Sequence, residues 1–164
     1  MSRACTLAAV RESLTAEQWA RLLERNPHLQ EVTRRETARG EFVEAHAHRD
    51  GPRVTVTAKG LRLDATPNAR AHWTATAKKR AREREVLTRA LSGITPPAGP
   101  WRVVIVRVGP RPMDDDNRTA SAKGCRDAIA AWLGVDDGDD SVRWEVRGEV
   151  ARGYAVRVQI EGRG

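Results

Sequence analysis

The chain has 164 residues, 40% of them hydrophobic and 31% charged, with five Trp, which is the composition of a protein with one globular core and excludes a disordered chain. Every apolar run is cut by Arg, Glu or Asp well before the roughly 18 residues that a membrane span requires, and nothing resembles a signal peptide, so a soluble, cytoplasmic protein is expected. Cys5 and Cys125 match no metal spacing, which excludes a disulfide scaffold and a zinc knuckle. The net charge of +7 is unevenly spread: Pro112 to Ser141 carries −5 and the remainder +12. A basic body suggests a polyanionic partner, since Lys and Arg neutralise phosphates and release counterions; a solvated basic surface is the plainer alternative.

In chain order, Thr15 and Gln18 form a capping box ahead of a short apolar face of Trp19, Leu22 and Leu23 that stops at Asn26-Pro27, predicting one small helix. Gln30 to Gly51 is polar and aperiodic. Its run Glu44, His46, His48, Asp50 holds residue types that can ligate a metal, but no flanking pattern fixes a geometry, and it reads as a solvated linker. Residues 1–50 are therefore expected to be an appendage and 51–164 the functional domain. Arg53 to Thr57 and Leu61 to Leu63 alternate apolar with polar around Lys59-Gly60, predicting a hairpin. Asp64 to Asn68 reads as a turn around Pro67. From His72 to Leu91 the pattern is helical, with Trp73, Ala77, Ala81, Leu87 and Leu91 on one face and Lys78, Lys79, Arg80, Arg82, Arg84 and Arg89 opposite. Trp101 to Val108 is a β-branched strand that Gly109-Pro110-Arg111-Pro112 must end. Asn117 to Leu133 reads as one helix with Ala122, Cys125, Ile129, Trp132 and Leu133 inward, and strands from Val142 to Val150 and Tyr154 to Ile160 close the chain. The order predicts an α+β fold, a mixed β-sheet with helices packed on one face.

Asp114-Asp115-Asp116-Asn117 stands where a strand hands over to a helix. Alternation places Asp114 and Asp116 on the same side with Asp115 pointing away, and Asp116 would cap the helix. Asp116, Ala120, Lys123 and Asp127 follow i, i+4, i+7, i+11, so Lys123 projects toward the Asp116 side. Beyond that helix, Gly134-Val135-Asp136-Asp137-Gly138-Asp139-Asp140 forms a second acidic turn. Each cluster alone is accounted for by capping, turn chemistry and solubility. Together, bracketing one amphipathic helix that carries a lysine on the acid side, they point to oxygen ligands from separate segments, the kind Mg²⁺ requires.

These residues resemble the RusA-type Holliday junction resolvases. The resemblance rests on Asp114-x-Asp116-Asn117, on Lys123-x-x-x-Asp127-Ala128-Ile129, and on Leu133-Gly134-Val135-Asp136-Asp137 before a closing strand. Pro67-Asn68-Ala69-Arg70-Ala71-His72-Trp73, followed by Lys78, Lys79 and Arg80, is similar to the family's opening segment. It covers about Leu61 to Ile160.

The resemblance implies a RusA-like fold, bacterial or phage-type, and a Mg²⁺-dependent (or Mn²⁺-dependent) endonuclease that nicks branched DNA, the four-way junction, symmetrically as a homodimer. It makes Asp114, Asp116 and Asp137 the catalytic metal-binding carboxylates, with Asp136 as a neighbour, and Lys123 the catalytic lysine. Lys123 departs from the better-known members, standing six residues after the Asn where they place the lysine three after. Asn68, Arg70, Lys78, Lys79, Arg80 and Arg82 are the expected DNA contacts. Two other readings share the features: a DNA-binding protein that keeps the fold without catalysis, and a metal-dependent nuclease of flaps or single strands.

Overall fold

The computed structural model describes residues 10–11, 13–39, 43–63 and 73–163. The elements are α1 (Ala16–Arg25), α2 (Pro27–Arg39), β1 (Glu44–Asp50), β2 (Arg53–Lys59), α3 (Trp73–Leu91), β3 (Trp101–Gly109), α4 (Asp115–Ser121), α5 (Lys123–Leu133), β4 (Val142–Val150) and β5 (Ala155–Glu161). Five strands form one sheet in the order β1-β2-β5-β3-β4. All neighbours are antiparallel except β3 and β4, which run parallel and are joined by the crossover through α4 and α5. The architecture is α+β with a mixed sheet.

Strand periodicity sets the core. Ala47, Val56, Val158, Ile105 and Val146 lie in register as one row across all five strands, because side chains two residues apart share a face. Leu87 and Leu91 of α3 and Cys125, Ile129 and Leu133 of α5 pack on that face. Leu87, Leu91, Ile105, Ile129 and Ile160 are fully buried, each contributing about 1.5–3 kcal/mol of apolar burial. α3 and α5 make the main helix–helix contact. Gly124 permits it: a Cβ there would stand 2.3 Å from Glu83 Oε2 and 3.0 Å from the Arg80 carbonyl oxygen.

Several expectations are corrected. The Thr15 capping box exists, with Gln18 N donating to Thr15 Oγ1 and Thr15 N to Gln18 Oε1, but α1 is followed at once by α2, opened by Pro27 at a first-turn position where its missing N–H costs nothing. Glu44–Asp50 is not a linker. It is an edge strand that buries little because Ala45 and Ala47 face inward while His46 and His48 face solvent, so a boundary near residue 51 cuts the β1–β2 hairpin. Leu61 and Leu63 are buried without forming a strand; β2 takes β1 and β5 as partners instead. The expected turn over 64–68 lies outside the described residues, as does the placement of the Trp73 side chain. On α3, Ala77 and Ala81 are exposed, and the inward stripe is Thr76, Arg80, Glu83 and Leu87. The helix expected over Asn117 to Leu133 is broken at Ala122 into α4 and α5. No helix among the described residues is long and apolar enough to cross a membrane.

Candidate active site

The first acidic segment is shaped by its neighbours. Pro110 and Pro112 stop β3, and Asp114 then takes extended backbone angles (φ −63°, ψ 164°) as the N-cap of α4. Its Oδ1 accepts from Asn117 N at 2.8 Å and its Oδ2 from Asn117 Nδ2 at 2.7 Å. These bonds, the backbone one first, hold the Asp114 carboxyl below the usual carboxylate range. The cap is thus Asp114 and not Asp116, because Asp114 alone is placed to bond the amide three residues on. Asp115 pairs with Arg118, and Asp116 is exposed on the first turn. Asp115 and Asp116 therefore follow helical and not strand geometry, with Asp114 extended just before them.

The break between α4 and α5 re-aims the lysine. Ser121 Oγ donates to Arg118 O at 2.7 Å, and Ala122 leaves helical angles (φ −86°, ψ 1°). α5 then starts afresh, and the Gly124 N–H donates to the Glu83 carboxylate of α3, a partner from another helix where Ala122 provides no side-chain cap. Lys123 is the first residue of α5. Its Nζ donates to Asp137 Oδ2 at 3.1 Å and to Asp127 Oδ1 at 3.3 Å. The expected continuous stripe from Asp116 to Asp127 is interrupted at Ala122, and Lys123 instead joins α5 to the second acidic turn.

That turn is clamped from α5. Gly134 ends the helix in the left-handed region (φ 76°), Arg126 Nη2 donates to the Asp137 carbonyl at 2.9 Å, and the Arg126 guanidinium lies 4.9 Å from the Trp144 ring centre. Asp139 N donates to Asp136 O at 3.1 Å, and Asp139 Oδ1 accepts from Ser141 N at 2.8 Å. Asp139 is accordingly a turn-former. The Lys123 hydrogen bond depresses Asp137, and Asp137, then Asp127, raises Lys123 in return.

The donor chemistry suits a hard divalent cation: carboxylate oxygens only, two of the carboxylates being held ionised well below neutrality. Among the described residues, however, no group of three or more His, Cys, Asp or Glu side chains gathers at one point in a metal-holding arrangement. The structure brings Asp127, Asp137 and Lys123 together, and it leaves Asp114 on its Asn117 clamp and Asp116 and Asp136 at the surface.

Of the expected nucleic-acid contacts, Asn68 and Arg70 lie outside the described residues. Lys78, Lys79 and Arg82 are exposed on α3, whereas Arg80 is half-buried on the stripe that faces α5, contrary to expectation. Sequence reasoning missed two charged positions. Glu83 is 5% exposed and lies against the N-terminus of α5; burial above all pushes its carboxyl up to about 7, against the pull of Lys79, Arg80 and the Gly124 N–H. Arg107, also 5% exposed, follows Val103 and Ile105 on the inward side of β3, and a charge at that alternation position was the available signal.

No protein-family profile matches this chain, and no curated protein matches it.

Proposed function

We propose that the chain is a Mg²⁺-dependent, structure-specific DNA endonuclease, similar to the RusA-type Holliday junction resolvases, acting on four-way junctions as a homodimer. The observation that carries the reading is the Lys123–Asp137 contact at 3.1 Å, which joins the second acidic turn to the start of α5 within a crossover whose other end is the Asp114–Asn117 clamp. Both acidic segments thus belong to one βαβ unit in an otherwise basic protein. Asp114, Asp116 and Asp137, with Asp136 beside them, would hold Mg²⁺ or Mn²⁺. Such a cation, when bound, polarises a phosphoryl oxygen and lowers the pKa of a bound water.

The chain's own residues do the rest. Asn117 fixes the Asp114 carboxylate from two directions and keeps it charged. Lys123 uses two of its three N–H donors on Asp127 and Asp137, so one remains to donate to a phosphate oxygen and offset its negative charge. The exposed Lys78, Lys79 and Arg82 supply backbone contacts that carry no sequence information. A second reading, a DNA-binding protein without catalysis, is favoured by one observation: the ammonium of Lys123 already neutralises Asp137.

The test is incubation with a synthetic four-way junction, a linear duplex and a flap, each with Mg²⁺ or EDTA. Paired nicks in the junction that require Mg²⁺ are expected. Binding without nicking supports the second reading, and nicking of flaps alone overturns the junction assignment.

A further inference from the structure

A cleft of about 440 Å³ is lined by Arg62, Arg107, Pro110, Arg111 and Tyr154, within the roughly 300–1,000 Å³ of small-ligand sites. Its floor is a buried cation. Arg107 Nε donates to Leu63 O at 3.3 Å and Nη1 to Arg111 O at 2.8 Å, and both acceptors are neutral carbonyls. Among the described residues, no carboxylate lies within ion-pair distance of Arg107. Burial above all, with repulsion from Arg62 and Arg118, holds its guanidinium below the usual arginine range against the pull of Tyr154. Gly109 makes room for the Arg107 head group: a Cβ there would stand 2.9 Å from Arg107 Nη2. The rim adds Arg62, stacked 4.9 Å from the Tyr154 ring centre, and the exposed Arg111. The site thus gathers three guanidinium groups on one cleft, a donor set that matches an anion in charge and geometry.

The position selects the anion. Arg111 stands three residues before Asp114, and three residues of chain span at most about 11 Å, so the cleft borders the first acidic segment. Arg118 braces the acidic segment from α4, donating to the Met113 carbonyl at 3.4 Å and pairing with Asp115. One DNA strand advances about 3.4 Å per nucleotide, so a strand lying on the acids passes the cleft within roughly three nucleotides. Guanidinium groups match phosphate oxygens in geometry, and the Arg62–Tyr154 stack offers a surface for an unpaired base.

We infer that this cleft is a phosphodiester-binding subsite, which grips the nucleic-acid strand next to the phosphate at the aspartates. The inference rests on the nuclease reading for its ligand, and its test is run in EDTA so that cleavage does not enter. The affinity of a fluorescent 12-nucleotide single strand is measured against salt for the wild type, Arg62→Gln and Arg111→Gln. These rim positions are chosen because Arg107 bonds two backbone carbonyls, and melting temperatures confirm that both variants fold. Each variant is expected to weaken binding and to flatten the log–log salt slope by about 0.7 for every phosphate it no longer neutralises. Inorganic phosphate at millimolar concentration is expected to compete with the strand on the wild type. Unchanged affinity and slope in both variants overturn the subsite, whatever the protein cleaves. Arginine side-chain NMR signals that shift with inorganic phosphate but not with the strand mark a small-anion pocket and overturn the phosphodiester assignment. Loss of affinity in the variants, with a wild type that never nicks DNA in Mg²⁺, supports the subsite and overturns only the nuclease.

Discussion

Lys123 Nζ lies 3.1 Å from Asp137 Oδ2, and this bond spans the 14 residues between the start of α5 and the turn that follows it. Both groups are nearly half exposed, so the pair adds little to stability. Its value lies in holding an ammonium beside the acidic turn. Lys123→Ala is expected to leave the melting temperature nearly unchanged and to slow single-turnover cleavage of a four-way junction by about 100-fold or more. Cleavage within a few-fold of wild type removes Lys123 from the site.

Replacing the carboxylates separates chemistry from binding. Asp114→Asn, Asp116→Asn and Asp137→Asn are each expected to lower cleavage by about 100-fold or more, while junction binding in EDTA stays or tightens because repulsion of phosphate is relieved. Asn caps a helix about as well as Asp, so Asp114→Asn keeps α4. Whichever variant cleaves normally at saturating Mg²⁺ identifies a carboxylate wrongly assigned.

On α3, Lys78→Ala and Arg82→Ala should weaken junction binding at low salt and leave the rate of the bound complex unaltered. Each phosphate left without its cation flattens the salt slope by roughly 0.9 on duplex DNA. Arg80 faces α5, so Arg80→Ala should act on stability in preference to affinity. Equal slopes for wild type and the two exposed variants would falsify a DNA-gripping role for this face.

Glu83 ties stability to pH. Its folded pKa of about 7 lies above the ordinary 4.5, so between those values the folded state holds a proton that the unfolded chain has lost. Stability from this group is therefore fully present below about pH 4.5 and falls as pH rises through about 7, by about 3 kcal/mol in total. The facing charges are Lys79 and Arg80 on its own helix and Asp127 on α5, with the Cys125 thiol, pushed up by burial, neutral throughout. Asp114, Asp137 and Asp139 have depressed values, so they withdraw stability only as pH falls below about 4. Glu83→Gln keeps an acceptor for Gly124 N–H, and urea unfolding at pH 5 and pH 8 should find it steady where the wild type weakens. Parallel behaviour of the two proteins refutes the assignment.

Legibility in the sequence followed periodicity. β3, β4 and β5 were readable because long alternating β-branched runs have no helical competitor, and the inward set Cys125, Ile129, Trp132 and Leu133 was readable because α5 keeps a 3.6-residue repeat, with Ala122 buried at the break before it. β1 was missed because Ala45 and Ala47 are too small to show as an apolar stripe. The α4–α5 break was missed because Ser121-Ala122-Lys123 carries no breaker, and Glu83, which meets the start of α5, comes from 41 residues earlier in the chain than Gly124. In the candidate site, the acidic segments and their lysine were visible as residue types at fixed spacing. Which carboxylate meets the lysine was not, since that depends on where the turn after α5 folds back. The arginine cleft was hidden for the same reason: Arg62, Arg107 and Tyr154 are brought together only by the sheet.

At Gly124 α5 brings no side chain to its contact with α3, and the Glu83 side chain fills the space. One consequence is mechanical. Lys78 and Arg82 ride on α3 and Lys123 on α5, so a shear between the helices would have to drive Gly124 past the Glu83 carboxylate that bonds it. On the nuclease reading, a strand held by the first surface would be presented to the second at the offset this contact sets. A nuclease built in this way would select the point at which it meets a strand as a caliper does, by the span between its jaws.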